Sequence, residues 1–160
     1  GDEEMRTWFV DNCAPGSFNG NISEAMVGAD IFIGVSAPDV LKEADIVAMA
    51  PGAIVFALAN PDPEIDPTIA RKYAAVVATG RSDQPNQINN VLAFPGIFRG
   101  LLDGRITKIT DAMLVAAADA ISSCVSSDQL NANFIVPSVF DTQVVTKVAE
   151  AIKLMGRSSS

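Results

Sequence analysis

Side-chain amides are concentrated in one short stretch, residues 78–100, which reads ATGRSDQPNQINNVLAFPGIFRG. It contains the end of an apolar strand, a polar loop and the start of an apolar helix. In open parallel sheets, ligands bind beyond the carboxyl ends of the strands, where loops of this kind lie. The stretch therefore predicts a small-molecule site.

Asn89 and Asn90 stand directly before the apolar helix of this stretch. An asparagine here can cap the helix by accepting a hydrogen bond from a backbone N–H. Two successive asparagines cannot cap the same helix, so the other amide is available at a helix N-terminus, which attracts carboxylates or phosphates. Residue type alone leaves a cap and a ligand contact both open.

Asn60 follows another apolar run and precedes Pro61. The proline predicts an extended backbone, from which the side chain can point into the crevice beyond the strand. An amide can donate to a carboxylate and accept from a carboxamide, and either fits a ligand contact. The alternative is a local turn in which the side chain hydrogen-bonds to its own backbone.

Gly34 and Ser36 flank the exit of a further apolar run, where a dinucleotide backbone can approach closely. The alternative is that Gly34 only relieves packing between helix and sheet.

The Pro-rich turn after Asn60 carries alternating carboxylates, at Asp62, Glu64 and Asp66. They lack the glycine and the spacing of a calcium loop, so a solvated acidic turn is predicted in preference to a cation site.

Composition excludes several classes of protein. The 160 residues, 49% of them apolar, predict a single domain with one core. The net charge of −8 argues against a nucleic-acid partner, and no apolar run reaches the roughly 18 residues of a membrane span. The chain has no histidine, and Cys13 and Cys124 are far apart, so neither a zinc site nor a disulfide framework is indicated. A cytoplasmic location is predicted.

Short apolar runs alternate with helical stretches along the chain. Strands are predicted at residues 30–35, 53–58, 74–78 and 134–136, and helices at residues 22–27, 40–49, 67–73, 89–102, 111–124 and from 142 onward. Predicted N-caps are Asn21, with Glu24 completing a capping box, Thr110 and Asp141. Residues 6–11 fit either a short strand or the end of a helix.

Fully apolar strands separated by helices predict a parallel sheet with helices on both faces. The strand exits, where ligands would bind, are Ser36-Ala37-Pro38, Asn60-Pro61, Thr79-Gly80-Arg81 and Pro137-Ser138. Neither GxGxxG nor GxxxxGK occurs in the chain. If the protein binds a dinucleotide, the first βαβ unit with its phosphate turn must precede Gly1.

Four segments occur in an order that resembles a known family: GADIFIGVSAP, IVFALANPDPEIDPTIA, ATGRSDQPNQINNVLAFPGIFRGLLDGRI and FIVPSVFD. They are similar to the C-terminal half of the NAD(P)-binding domain of malic enzymes of the bacterial type. Departures from the usual pattern occur at Gln84, Gly104 and Val139. The resemblance implies a three-layer, Rossmann-like α/β fold that lacks its first βαβ unit. Residues 28–156 would form it, after a helix or strand, loop and helix in residues 1–27 and before a disordered tail in residues 157–160.

The resemblance also implies a function. Malic enzymes oxidise and decarboxylate (S)-malate to pyruvate and CO2 with NAD or NADP and Mg²⁺ or Mn²⁺. By the same resemblance, Asn60 and Asn90 contact malate and the nicotinamide region. Cofactor contacts are implied for Gly34, Val35, Ser36 and, more weakly, Asn89.

The family's catalytic tyrosine and lysine, its metal ligands and its phosphate turn belong to earlier sequence, and Lys72 and Tyr73 lie in a different motif. The chain is therefore predicted to hold no catalytic or metal-binding residue and to be inactive alone. Its implied partners are malate, the rest of a malic enzyme polypeptide and further copies in a dimer or larger homo-oligomer. A malolactic enzyme and a non-catalytic acidic α/β interaction or regulatory module are the alternatives.

Overall fold

A computed structural model describes residues 2–13 and 18–158. The strands are β1 (Ile31–Gly34), β2 (Ile54–Ala57) and β3 (Val76–Thr79). The helices are α1 (Asp2–Cys13), α2 (Ile22–Met26), α3 (Glu43–Val47), α4 (Pro67–Ala70), α5 (Phe94–Gly104), α6 (Asp111–Ser122) and α7 (Thr142–Ser158), with a 3₁₀ turn at Asn90–Leu92. The β-α-β-α-β order confirms the alternation predicted for this part of the chain.

The three strands form one parallel sheet in the order β1-β2-β3. Gly34 pairs with Ala57, and Ala57 pairs with Thr79, so the three strands end level with one another. The predicted parallel α/β sheet is confirmed. Because the strands end together, the segments that follow them emerge at the same edge.

One face of the sheet is covered by α2, α3 and α4. Their apolar side chains form a core with Val55, Ala57 and Val77, which are almost completely buried. Side chains alternate between faces along a strand, so the opposite face carries Ile31 and Ile33, which are 55% and 64% exposed.

Helices α5, α6 and α7 form a second core, in which Val144, Val148 and Ile152 of α7 are buried. Two glycines one turn apart allow α5 to approach α7 closely. A β-carbon at Gly96 would lie 2.6 Å from Cβ of Val148, and one at Gly100 would lie 2.7 Å from Cβ of Ile152. The sequence FPGIFRG is therefore the surface on which α7 packs.

The predicted helix caps are confirmed. Asn21 accepts from the N–H of Glu24 at 3.0 Å, and the Glu24 carboxylate accepts from the N–H of Asn21 at 2.9 Å. Thr110 caps α6, and Asp141 accepts from the N–H of Gln143 at 2.9 Å at the start of α7. Short polar side chains before apolar runs thus set these helix boundaries.

The helix predicted at residues 89–102 begins later and in two steps. A 3₁₀ turn at Asn90–Leu92 precedes α5, and Pro95 lies in the first turn of α5. Proline fits there because the first helical N–H groups have no partner within the helix. Pro95 therefore lies at the start of α5 and does not interrupt the helix.

The prediction of a fourth strand at residues 134–136 was wrong. Phe134 forms an isolated antiparallel bridge with Asn131. The next N–H, that of Ile135, donates to the side chain of Asn86 at 2.9 Å, so it is not available to a neighbouring strand. A loop held by a side chain replaces the strand.

At the two ends of the described chain, residues 6–11 lie within α1, and α7 continues to Ser158. The predicted tail at residues 157–160 thus overlaps the end of α7, and residues 159 and 160 lie outside the described residues. Among the described helices, none combines the length and the apolar character that crossing a bilayer requires.

Candidate functional site

The loops that follow β1, β2 and β3 meet at the carboxyl edge of the sheet. Ser36 follows β1 by two residues, and Asn60 follows β2 by three. Beyond β3 the chain returns: Gln87 pairs in parallel with Thr79, and the N–H of Ile88 donates to the Thr79 carbonyl at 2.8 Å. Asn89 and Asn90 therefore follow directly after a segment that lies beside the carboxyl end of β3. This is the place where the sequence predicted a ligand.

The structure separates the roles of the two successive asparagines. The Oδ1 atom of Asn89 accepts a hydrogen bond from the N–H of Val91 at 3.0 Å and so caps the 3₁₀ turn. Asn90 is exposed, and its side chain makes no hydrogen bond within the described part of the chain. Asn90 is therefore the amide of the pair that is available to a ligand.

The side-chain amide of Asn60, which follows β2, is also available to a ligand. Asn60 is exposed, and its side chain makes no hydrogen bond to any residue in the ranges 2–13 and 18–158. The self-closing turn considered from the sequence is therefore not formed. The Asn60–Pro61 peptide bond is cis.

The exit of β1 combines a buried glycine with exposed neighbours. Val35 is 80% exposed, and Ser36 is also exposed. Gly34 is buried, and a β-carbon there would lie 2.5 Å from Cδ of Glu64. Gly34 thus makes room for a carboxylate, rather than for the helix that the sequence suggested.

The environment of Glu64 differs from the one predicted from the sequence. Glu64 is completely buried, at 0% exposure, so the predicted solvated acidic turn is wrong at this position. Its Oε1 atom accepts from the N–H and Oγ of Ser36 at 2.8 and 3.1 Å, and its Oε2 atom accepts from the N–H of Ala59 at 3.0 Å. Burial by itself raises the pKa, but the hydrogen bonds from Ser36 and Ala59 outweigh it, so the pKa of Glu64 lies below its ordinary 4.5. The signal available in the sequence was that apolar residues, Pro63 and Ile65, flank Glu64.

Asn86 is a second buried polar residue that the sequence did not single out. Its Nδ2 atom donates to the carbonyls of Val77 and Ala132 at 3.0 and 2.8 Å, and its Oδ1 atom accepts from Ile135. Its φ of 58° lies in the left-handed region, which asparagine tolerates better than most residues. Asn86 thereby joins β3 to the loop that replaces the expected fourth strand.

The remaining carboxylates near the site are exposed. Asp66 caps α4 by accepting from the N–H of Thr68 at 2.7 Å. Arg81 donates to both oxygens of Asp83, at 2.9 and 2.7 Å, and chiefly this hydrogen bonding lowers the pKa of Asp83 from 3.8 to about 2. Within the described ranges, no group of three or more Cys, Asp or Glu side chains is arranged to hold a metal ion.

The fourth predicted exit, Pro137-Ser138, lies across an open groove of about 270 Å³ from the loop that carries Gln84 and Asn86. Tyr73 lies elsewhere and donates to the Glu43 carboxylate at 2.6 Å. The site therefore presents the exposed side-chain amides of Asn60 and Asn90, a type of group that can bind carboxylates and carboxamides. None of these groups is a strong general base.

The family model described as "Malic enzyme, NAD binding domain" matches residues 21–155. The chain belongs to the malic enzyme family. The matched residues include the three strands and all the exits described above, so the edge of the sheet that carries Asn60 and Asn90 is part of the malic enzyme NAD-binding domain.

Relatives and solved structures agree with this assignment. The chain is 56% identical over 138 residues to the NAD-dependent malic enzyme of Geobacillus stearothermophilus, which covers 86% of this chain and 29% of that protein. It is 52% identical over 135 residues to the bifunctional malic/malolactic enzyme of Bacillus subtilis, covering 84% and 33%. The crystal structure of NAD-dependent malic enzyme from Thermotoga maritima superposes with a TM-score of 0.87 at 44% identity, covering 94% of this chain and 39% of that one.

This likeness confirms the Rossmann-like α/β fold predicted from the malic enzyme resemblance. The chain spans 29% and 33% of the length of the two curated relatives. The crystal structure of the Entamoeba histolytica malic enzyme gives a similar proportion, with a TM-score of 0.90 at 38% identity over 97% of this chain and 32% of that one.

Proposed function

We propose that this chain forms one wall of the cofactor and malate site of an NAD(P)-dependent malic enzyme. The reaction is the oxidation of (S)-malate and its decarboxylation to pyruvate and CO2. The observation that carries the proposal is the pair of exposed amides at Asn60 and Asn90, beyond the carboxyl ends of neighbouring strands, neither of which is hydrogen-bonded within residues 2–13 and 18–158.

Each amide has a defined part in this proposal. The Nδ2 groups of Asn60 and Asn90 donate hydrogen bonds to the malate carboxylate and to the nicotinamide region. Their role is to orient malate, and NAD(P), if bound here, would supply the hydride acceptor for C2 of malate. Asn89 is a weaker candidate for a cofactor contact, because its side chain already caps the turn at Val91.

The exit of β1 fits a cofactor better than a metal. Gly34 has no side chain, and the exposed Val35 and Ser36 leave the backbone open to an approaching dinucleotide. Mg²⁺ and Mn²⁺ require carboxylate ligands, and Glu64 is already engaged by Ser36 and Ala59. We therefore assign the metal ligands and the catalytic acid and base to another part of the malic enzyme polypeptide.

The test compares two proteins: this chain alone, and a full-length malic enzyme polypeptide that contains it. Malate-dependent formation of NAD(P)H is measured with each, with Mg²⁺ or Mn²⁺ present. We expect activity from the longer protein only. Activity of the chain alone would contradict the assignment of the catalytic groups elsewhere, and inactivity of both would contradict the proposed reaction.

A malolactic reaction is the second candidate, because the relative from Bacillus subtilis is named as a bifunctional malic/malolactic enzyme. The two reactions differ in their product. Chromatography of the longer protein's reaction mixture separates pyruvate from lactate, and lactate formed without net accumulation of NAD(P)H would favour the malolactic reaction.

The proposal extends to the organisation of the protein. We assign residues 28–156 to the C-terminal half of the NAD(P)-binding domain, and residues 1–27 to the end of an upstream helix followed by a loop and a helix. We also propose a homo-oligomer of two or more copies and a cytoplasmic location. Sedimentation of the longer protein tests the oligomer, and fractionation of cells that produce it tests the location.

A further inference from the structure

Glu64 connects the exits of two neighbouring strands. Oε1 holds the backbone N–H of Ser36, two residues after β1, and Oε2 holds that of Ala59, two residues after β2. The backbone of the same turn is also attached to the segment between β1 and α3, since the N–H of Leu41 donates to the Glu64 carbonyl at 3.0 Å. One side chain thus sets the separation of the two loops.

The buried carboxylate is held by donors from both strand exits and not by a cation. Burying a carboxylate removes its hydration, and no salt bridge among the described residues involves Glu64. Three hydrogen-bond donors take the place of water, and Gly34 leaves the space that the carboxylate occupies. An apolar side chain of similar volume would fill this space but would leave the N–H groups of Ser36 and Ala59 without their acceptor.

The two loops that Glu64 joins are the ones that carry proposed ligand contacts. Ser36 lies in the segment assigned to the cofactor, and Ala59 directly precedes Asn60, which is assigned to malate. Movement of either N–H away from the carboxylate would change the distance between these two contacts. An error of about 1 Å in such positioning can lower kcat/KM by up to roughly 100-fold.

We propose that Glu64 is a positioning residue, which fixes the β1 and β2 exits relative to each other so that Ser36 and Asn60 engage cofactor and malate together. The inference rests on the proposed function. Glu64 itself touches neither ligand in this scheme and acts through the two backbone N–H groups.

The test is Glu64→Gln in the full-length malic enzyme polypeptide. Glutamine keeps the size of the side chain but replaces one acceptor oxygen with an NH₂ donor, which must face the N–H of either Ser36 or Ala59. We expect KM for malate and for NAD(P) to rise by about 10-fold to 100-fold with a smaller change in kcat, because binding contacts are displaced. Circular dichroism at the assay temperature checks that the variant is folded.

The matched control is Asp66→Asn, the same carboxylate-to-amide change two residues away. Asp66 is exposed and caps α4, and asparagine is an equally good cap, so both KM values should stay within about 2-fold of wild type. Glu64→Asp is a second variant, whose shorter side chain keeps the charge but cannot reach both loops. It should raise the KM values in the same direction.

The outcomes are distinct. If wild type shows no malate-dependent NAD(P)H formation, the proposed function fails. If wild type is active and folded Glu64→Gln shows a lower Tm but unchanged KM values, Glu64 is only a stability element and the positioning role is overturned. Failure of both Glu64 variants to fold would overturn it in the same way.

Discussion

Gly34 and Glu64 are in contact across the exits of β1 and β2, and a β-carbon at position 34 would lie 2.5 Å from the carboxyl carbon of Glu64. The carboxylate cannot retreat without losing its hydrogen bonds to Ser36 and Ala59. The glycine at the end of β1 is therefore required by a residue 30 positions further along the chain.

Gly34→Ala should lower the free energy of unfolding by about 1 to 3 kcal/mol, the usual cost of inserting a methyl group into a packed site. Urea denaturation measures the change. Gly80→Ala is the control, because a β-carbon there would meet no described atom closer than 4.0 Å. Equal effects of the two substitutions would contradict the contact.

Asn90 and Asn89 should respond differently to replacement by alanine in the full-length enzyme. Asn90→Ala removes a proposed charge-assisted hydrogen bond and should lower kcat/KM for malate by the equivalent of roughly 1.5 to 3 kcal/mol. Asn89→Ala removes a cap and should instead lower stability by about 1 kcal/mol. Steady-state kinetics and thermal unfolding of both variants distinguish these effects. Unchanged kinetics with reduced stability in Asn90→Ala would count against the malate contact.

Asn86→Ala should destabilise the folded protein whether or not a ligand is bound. The substitution leaves the carbonyls of Val77 and Ala132 and the N–H of Ile135 without this partner, and an unsatisfied buried group such as the Val77 carbonyl costs about 1 to 3 kcal/mol. The free energy of unfolding should therefore fall by at least about 1 to 3 kcal/mol. Hydrogen exchange should show the largest loss of protection at Ile135, and uniform loss across the sheet would argue against a local anchor.

The contribution of the Arg81–Asp83 ion pair to stability should depend on pH. The pKa of Asp83 is lowered to about 2, chiefly by the hydrogen bonds from Arg81, so the pair contributes to stability above pH 3.8. That contribution is lost as the pH falls through about 2, because protonation of Asp83 breaks the pair. In Arg81→Ala the pKa of Asp83 should return toward 3.8. Titration of the Asp83 carboxyl by NMR measures both values, and a pKa near 2 in the variant would exclude Arg81 as the cause.

The sequence was sufficient to predict those helix boundaries and strands that depend on residues close to each other in the chain. The capping box of Asn21 and Glu24 and the caps at Thr110 and Asp141 could be predicted because each side chain bonds a backbone N–H only two or three positions away. Short apolar runs were sufficient for β1, β2 and β3, since strands buried on a parallel sheet are apolar throughout. The same reasoning failed at residues 134–136, where an apolar run is held by Asn86, about 49 positions earlier.

By itself, the sequence determined the parallel α/β fold and predicted a site at the strand exits, and its resemblance to malic enzymes implied Asn60 and Asn90 as the candidate amides. Only the tertiary structure decided that Asn89 is the cap of the pair and that Glu64, one of three carboxylates in an acidic turn, is buried between two strand exits. The physical reason is distance along the chain. Glu64 takes hydrogen bonds from Ser36, 28 residues earlier, and only folding brings donor and acceptor together.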